Sequence, residues 1–202
     1  TATPGLFAVA GNANINNTAG LGSLSLIEGG NGALTFSAAN FNLQAGSNNY
    51  LLGSPTSGQQ YKGIGTFTIT NDMSLAGSSS LYFAYGDSSV GKIRIAITRD
   101  LNIAGNTSVN GAYTSGAFTL KVGRNLTHTQ GKFSGQNYML NTAVDSLIIG
   151  TAFIFNSSVP TDFFRANRSA GNTIVTSSTF TVLNSGTASG QGVALVDSGA
   201  GN

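Results

Sequence analysis

A short motif recurs along this chain: an alternating strand, a corner of two or three residues, and a second alternating strand. The clearest copies lie at residues 67–77, 95–105 and 120–129, with weaker copies at 7–15, 36–43, 147–155 and 174–182. The corners lie at positions 12, 40, 72, 100, 125, 152 and 179 and are spaced almost evenly. Their period of about 27 residues accommodates three short strands and is too short for a propeller blade. The repeat therefore predicts an all-β, single-domain parallel β-helix, a solenoid of about seven rungs.

Alternation within the repeats assigns side chains to the inside or the outside of this solenoid, because successive residues of a strand point to opposite faces. Stacked rungs would bury equivalent apolar residues in columns that no single rung could bury alone. The columns expected to face inward are Ile93, Ile95 and Ile97 with Phe118, Leu120 and Val122; Met73, Leu101, Leu126, Phe153 and Phe180; Leu75, Ile103, His128, Phe155 and Val182; and, on a third strand, Leu81 and Phe83 followed by Val109, Phe133 and Phe163.

The composition agrees with a β fold. Charged residues make up 8% of the chain, Glu occurs once, and 28 of the 202 residues are Gly. β-Branched and aromatic residues favour strands, whereas Gly, Asn and Ser favour turns. We expect a right-handed β-helix over residues 1–183, because parallel crossovers are nearly always right-handed. Residues 184–202 would form a partial last rung or a linker-like tail, and an antiparallel β-sandwich is the alternative fold.

Several functional classes lack the residues that they need. The chain has no Cys, one His and seven acidic residues, which excludes disulfides and thiol chemistry and leaves no residues that call for a cofactor. The net charge of +2 gives no strong electrostatic case for nucleic acid. No stretch of about 18 apolar residues is present, so no transmembrane helix is expected. These absences favour a protein that is not an enzyme.

The corner column Asn40, Asp72, Asp100 and Asn125 is the best candidate for a site. Adjacent parallel strands lie about 4.8 Å apart, which would place the Asp72 and Asp100 carboxylates roughly 5 Å from each other. Such a pair could bind Ca²⁺ or serve retaining glycoside hydrolysis. The alternative is a structural ladder of turn residues that hydrogen-bond the backbone. Arg99 and Arg124, one residue before each corner, would neutralise the acids.

A basic patch and a single imidazole are the remaining candidates. Six basic residues would be brought together over two rungs and could meet an anionic polysaccharide or an acidic partner, or could merely keep the surface solvated: Lys92, Arg94, Arg99, Lys121, Arg124 and Lys132. His128 falls in an inward slot and is interpreted as a core residue unless a local slip turns it outward. Tyr82 and Tyr85, near Asp87 and Tyr113, could form a weak aromatic platform for sugars.

The motifs Asp72-Met-Ser-Leu-Ala-Gly77, Asp100-Leu-Asn-Ile-Ala-Gly105 and Arg124-Asn-Leu-Thr127 resemble the β-helical repeats of secreted bacterial surface proteins. These include autotransporter passengers, filamentous-haemagglutinin-like proteins and gliding-type adhesins. The resemblance implies a non-enzymatic adhesin-like or structural role outside the cell or at the bacterial surface, as an excised piece of a longer protein or as a filament subunit.

The partners expected from this interpretation are adjacent repeats or further copies stacked end to end, a surface polysaccharide, or the secretion machinery. The alternative functions are a β-helical polysaccharide lyase or hydrolase and a carbohydrate-binding module.

Overall fold

The computed structural model describes residues 5–17, 24–27, 30–45, 48–53, 62–77, 80–85, 92–104, 108–112, 117–129, 132–133, 146–157, 163–165, 174–184 and 192–194. All regular elements in these ranges are β-strands. None of the described residues belongs to a helix long and apolar enough to cross a membrane.

The strands are short and follow one another closely along the chain. The first nine are β1 (Gly5–Ala8), β2 (Asn12–Asn17), β3 (Leu24–Ser25), β4 (Ala33–Ala38), β5 (Asn40–Ala45), β6 (Asn49–Gly53), β7 (Ile64–Ile69), β8 (Met73–Gly77) and β9 (Ser80–Tyr85). The next six are β10 (Lys92–Ile97), β11 (Leu101–Ile103), β12 (Ser108–Ala112), β13 (Ala117–Val122), β14 (Asn125–His128) and β15 (Lys132–Phe133). The last six are β16 (Ser146–Ile149), β17 (Ala152–Ser157), β18 (Phe163–Arg165), β19 (Ile174–Thr176), β20 (Thr179–Asn184) and β21 (Gly192–Ala194).

Every third strand joins the same sheet, which makes the fold a β-solenoid. The first sheet has the order β1-β4-β7-β10-β13-β16-β19, the second β2-β5-β8-β11-β14-β17-β20, and the third β3-β6-β9-β12-β15-β18-β21. All neighbouring strands are parallel, for example β7 with β10 and β11 with β14. The predicted parallel solenoid is therefore confirmed as the fold class, and the antiparallel sandwich does not form.

The core is a continuous apolar column enclosed by the three sheets. Strand β10 shows the cause: Ile93, Ile95 and Ile97 are buried, whereas Lys92, Arg94 and Ala96 between them are exposed. The parallel register places Ile95 opposite Phe67 on one side and Leu120 on the other. Like residues therefore stack on like residues, and each contributes roughly 1.5–3 kcal/mol on burial.

The register confirms most of the predicted columns and corrects one. In the second sheet Met73, Leu101 and Leu126 align, and Leu126 continues to Phe153 and Phe180. In the third sheet Phe133 pairs with Phe164, and Phe163 pairs with Lys132. The prediction that Phe163 continues the column of Phe133 is therefore wrong by one residue. A shift of one residue exchanges the two faces of a strand, and β15 and β18 are too short for alternation to fix their register.

Among the described residues, the largest apolar exposure is on strands that begin or end a sheet. Phe7 is 60% exposed although its ring stacks on Phe36, and Phe180 is 44% exposed although its ring stacks on Phe153. Both occupy core columns, on β1 and β20. The segment 184–202, predicted to be a partial rung or a tail, contains β21, which pairs with β18.

Two corner glycines permit close stacking of the backbone. A Cβ on Gly123 would lie 2.1 Å from the carbonyl oxygen of Thr98, and a Cβ on Gly150 would lie 2.1 Å from that of Gly123. Both are backbone atoms of the preceding turn of the solenoid, so they cannot move aside as a flexible side chain could. Gly is required at these two positions because the chain crosses the corner in direct contact with the turn below.

Candidate functional site

The corner column lies where the chain passes from the first sheet to the second. Asn40 and Asn125 are the first residues of β5 and β14, and Asp72 and Asp100 directly precede β8 and β11. The strands before the corner end in the buried residues Ile69 and Ile97 in two of these turns, so the core fixes where the corner begins. The predicted column is therefore assembled, with its members on successive turns of the solenoid.

Hydrogen bonds connect each corner residue to the one before it. The Asp72 amide N–H donates to Oδ1 of Asn40 at 3.1 Å, and the Asp100 amide N–H donates to Oδ1 of Asp72 at 3.1 Å. The Asn125 amide N–H and its Nδ2 both donate to Oδ1 of Asp100 at 3.0 Å. At the start of the column, Asn40 Nδ2 donates to Oδ1 of Asn12 at 2.7 Å. The side chains thus act as acceptors for the backbone of the following turn.

Backbone carbonyls complete these connections in the opposite direction. The carbonyl oxygen of Asp72 accepts from the Phe41 amide at 3.1 Å, and that of Asp100 accepts from the Met73 amide at 2.9 Å. Each Asp is therefore tied to the preceding turn through both its amide N–H and its carbonyl oxygen. The sequence suggested that the corner residues hydrogen-bond their local backbone; instead, their side chains bond the backbone of the next turn.

Asp100 has the most acceptor contacts in the column. Arg124 donates to it through Nη2 to Oδ2 at 2.7 Å and through Nε to Oδ1 at 3.3 Å. Burial raises the pKa of the Asp100 carboxyl, but the hydrogen bonds from Asn125 and Arg124 and the charge of Arg124 outweigh it. The pKa of Asp100 is therefore lower than its ordinary value of 3.8. The carboxylate is held in its charged form.

Asp72 has a looser arginine contact. Arg99 Nε lies 3.5 Å from Oδ1 of Asp72, and the side chains of these residues are 46% and 31% exposed. Arg99 and Arg124 themselves lie on adjacent turns, where the Arg124 amide donates to the Arg99 carbonyl at 2.9 Å. The prediction that the two arginines neutralise the two acids is consistent with these contacts.

The Ca²⁺ hypothesis for Asp72 and Asp100 gains no support from this geometry. The carboxylate oxygens face amide and guanidinium N–H groups, whereas Ca²⁺ takes six to eight oxygen ligands. In the described ranges, no three or more His, Asp or Glu side chains are grouped so that they could hold a metal ion.

The ladder ends at Ala152, whose side chain cannot accept a hydrogen bond. The amide of the next corner residue, Thr179, donates to the carbonyl oxygen of Thr151 instead. A different contact joins these two turns in the other direction: the Phe153 amide donates to Oγ of Ser177, two residues before that corner, at 3.2 Å. The Ser177 hydroxyl also lies within hydrogen-bonding distance of two acceptors, the carbonyl oxygens of Thr151 and Thr179. Sequence reasoning missed Ser177, because nothing distinguishes it among the many serines of the chain.

The structure divides the predicted basic patch. Lys92, Arg94 and Lys121 are exposed on strands β10 and β13 of the first sheet. Arg99 and Arg124 lie at the adjoining corner, each beside an acid. Lys132 lies on β15 in the third sheet, on a different sheet from Lys92, Arg94 and Lys121. Residues that are close in sequence can lie on different sheets, because a single turn of the solenoid contributes one strand to each of the three sheets.

The remaining candidates lie in or beside the core. His128 is buried, as predicted, and its ring meets Phe155 edge-on at 4.9 Å between centroids. Tyr82 stacks on the buried Tyr50 at 5.1 Å. Asp87 and Tyr113, the other members of the proposed sugar platform, lie outside the described residues, as does the side chain of Tyr85.

Comparison with known proteins gives no relative: no family model, no curated protein and no solved structure matches the chain.

Proposed function

We propose that this chain is a non-enzymatic structural element, a β-solenoid that extends a bacterial cell-surface protein or filament. The observation that carries the proposal is the corner column. Asp72 and Asp100, the two acidic residues in the described part of the chain, both accept backbone N–H groups and both contact an arginine. Both carboxylates therefore serve to hold successive turns together.

We infer that the solenoid has seven rungs with a repeat of about 27 to 28 residues, which is long enough for three short strands in each rung. This inference is supported by the seven strands in each sheet. It is also supported by the separations along the corner ladder, which are 28, 32, 28 and 25 residues. With parallel strands about 4.8 Å apart, such a rod would be roughly 35 Å long. The resemblance of its repeats to secreted bacterial surface proteins supports an extracellular location.

The exposure of apolar side chains on the terminal strands supports end-to-end association. Of the large hydrophobic side chains that are exposed in the described part, Leu6, Phe7 and Phe180 lie on the first or last strands of their sheets. Only Ile64 lies in the middle of a sheet. Terminal strands of a solenoid present unpaired backbone groups and an open core, which further repeats or a second copy can cover.

The association is tested by sedimentation velocity over a range of protein concentrations. We expect concentration-dependent, linear oligomers that the double variant Phe7→Asn, Phe180→Asn shifts toward monomer. Ile64→Asn is the matched control, because it removes an exposed apolar side chain from the middle of the solenoid. A monomer at all concentrations would contradict end-to-end association, as would equal effects of the end and control variants.

The competing function is a polysaccharide lyase or hydrolase. A panel of acidic and neutral polysaccharides, assayed for new reducing ends and for unsaturated products, separates the two. We expect no turnover above that of heat-treated protein. Turnover that Asp100→Asn abolishes in a folded variant would favour the enzyme and overturn the structural proposal.

A further inference from the structure

The outer face of the first sheet carries cations that no described acid accompanies. Lys92 and Arg94 on β10 and Lys121 on β13 are exposed, and Lys62, which lies just before β7, is also exposed. We call Lys92, Arg94 and Lys121 the cationic face. The two described acids lie at the corner instead, where Arg99 and Arg124 contact them.

The strand register fixes the spacing of the cationic face. Arg94 is opposite Thr119, and Lys121 is opposite Ala96, so Arg94 and Lys121 are on adjacent strands and offset by two residues. With a rise of about 3.3 Å per residue and strands about 4.8 Å apart, their Cα atoms are roughly 8 Å from each other. Lys92 and Arg94 are roughly 7 Å apart on the same strand. The Cα atoms of Lys92, Arg94 and Lys121 therefore form a bent row with nearly even intervals.

Hydroxyl groups flank this row. Arg94 lies between Thr66 on one neighbouring strand and Thr119 on the other, and Thr68 is opposite Ala96. Ser146 follows Thr119 in register, and its Oγ donates to Oγ1 of Thr119 at 3.4 Å. The described outward positions of β7, β10, β13 and β16 hold no aromatic residue on which a nucleic acid base could stack.

A flat β surface with a row of cations at intervals of roughly 7–8 Å suits a polymer that carries anionic groups at regular intervals and hydroxyl groups between them. We propose that the cationic face binds an acidic polysaccharide, with Lys92, Arg94 and Lys121 contacting its carboxylate or sulfate groups and the threonines contacting its hydroxyls. This binding goes beyond the structural role proposed above and does not depend on it.

Affinity electrophoresis and isothermal titration calorimetry of the full chain provide the test. The probes are polygalacturonate as the carboxylated polymer, dextran sulfate as the sulfated polymer, neutral dextran, and duplex DNA as a non-glycan polyanion. We expect salt-sensitive binding to one or both acidic polysaccharides and none to neutral dextran, since exposed ion pairs weaken as salt screens them. The two acidic probes distinguish carboxylate from sulfate recognition.

The triple variant Lys92→Gln, Arg94→Gln, Lys121→Gln is compared with Lys132→Gln, Arg165→Gln, Arg168→Gln. The control variant loses the same charge, and Lys132 and Arg165 lie on strands of the third sheet. Exposed ion pairs each contribute about twofold to fivefold in affinity, so the cationic-face variant should bind at least roughly eightfold more weakly. The control should change less than about twofold, and circular dichroism should show that both variants fold.

Three outcomes would overturn the proposal: absence of binding to both acidic polysaccharides, equal losses in the two triple variants, or equal affinity for duplex DNA. Equal losses would mean that net charge alone drives adsorption. Each of these results would leave the structural role untouched, because that role is tested by turnover and association. Turnover of a polysaccharide would overturn the structural role and leave the binding face standing.

Discussion

The amide N–H of Asp100 donates to Oδ1 of Asp72 at 3.1 Å, across 28 residues of chain. A side chain that would be a local turn residue in most folds is here the acceptor for the next turn of the solenoid. The same relationship joins Asp72 to Asn40 and Asn125 to Asp100. The corner column is therefore a set of tertiary hydrogen bonds made by residues that are common in turns.

Removing the Asp100 side chain should weaken the solenoid. Asp100→Ala leaves the part-buried Asn125 amide without its acceptor and Arg124 without its partner. We expect the free energy of unfolding to fall by about 2–3 kcal/mol, since unsatisfied N–H groups cost about 1–3 kcal/mol and charged partners more. Asp100→Asn keeps one acceptor oxygen and should cost less. Urea denaturation measures both.

The control for this pair is Thr179→Ala, at the exposed corner position three strands further along the second sheet. The hydrogen bonds of Thr179 at this corner involve its backbone. Thr179→Ala should lower the free energy of unfolding by no more than about 0.5 kcal/mol, as is usual for surface substitutions. A Thr179→Ala effect as large as that of Asp100→Ala would show that the ladder has no special role.

Stability should fall in acid through Asp100. Its pKa is depressed in the folded state, so the folded state binds its proton less readily than the unfolded chain does. The stabilisation is complete above the ordinary carboxyl pKa of 3.8 and is lost as the pH falls through the lower folded-state pKa. Unfolding free energies measured across this window should decline less steeply in Asp100→Asn. If the free energy of unfolding fell equally steeply with falling pH in both proteins, Asp100 would not be the group responsible.

Adding a methyl group at the close-packed corner should be severely destabilising. In Gly123→Ala the new Cβ would meet the Thr98 carbonyl oxygen, and in Gly150→Ala that of Gly123. Because backbone must shift in both cases, we expect a loss of at least about 3 kcal/mol or a failure to fold. Gly11→Ala is the matched control, since its Cβ meets nothing within 4 Å. The melting temperatures of the three variants measure these effects. Equal melting temperatures would contradict the close contact of the two corner glycines with the preceding turn.

The contact of Ser177 with the Phe153 amide gives a milder prediction. Ser177→Ala removes the acceptor of the Phe153 amide and should lower the free energy of unfolding by about 1 kcal/mol. Ser178→Ala serves as the comparison, because the exposed Ser178 hydroxyl donates to the Gly150 carbonyl at 3.1 Å and bridges no buried amide. Chemical denaturation should show the larger effect at Ser177, and the reverse order would refute its bridging role.

The amino-acid sequence by itself determined the parallel solenoid, the corner positions and most of the buried columns. The reason is that alternation with a period of two excludes slips by one residue, and the corner that recurs once in every turn aligns the strands on either side of it. The repeat places Ile93, Ile95 and Ile97 opposite Phe118, Leu120 and Val122, and the strand register agrees. His128 was likewise placed by its slot between Ile103 and Phe155.

Only the tertiary structure decided which atoms the corner residues contact and which sheet each charge occupies. The direction of the Asp72 and Asp100 side chains depends on the amides of the next turn, which lie 28 and 25 residues away. Lys132 separates from Lys121 because one turn of the solenoid distributes its residues over three faces. Phe164 rather than Phe163 continues its column because a two-residue strand carries no periodicity, so its neighbours in space set the register.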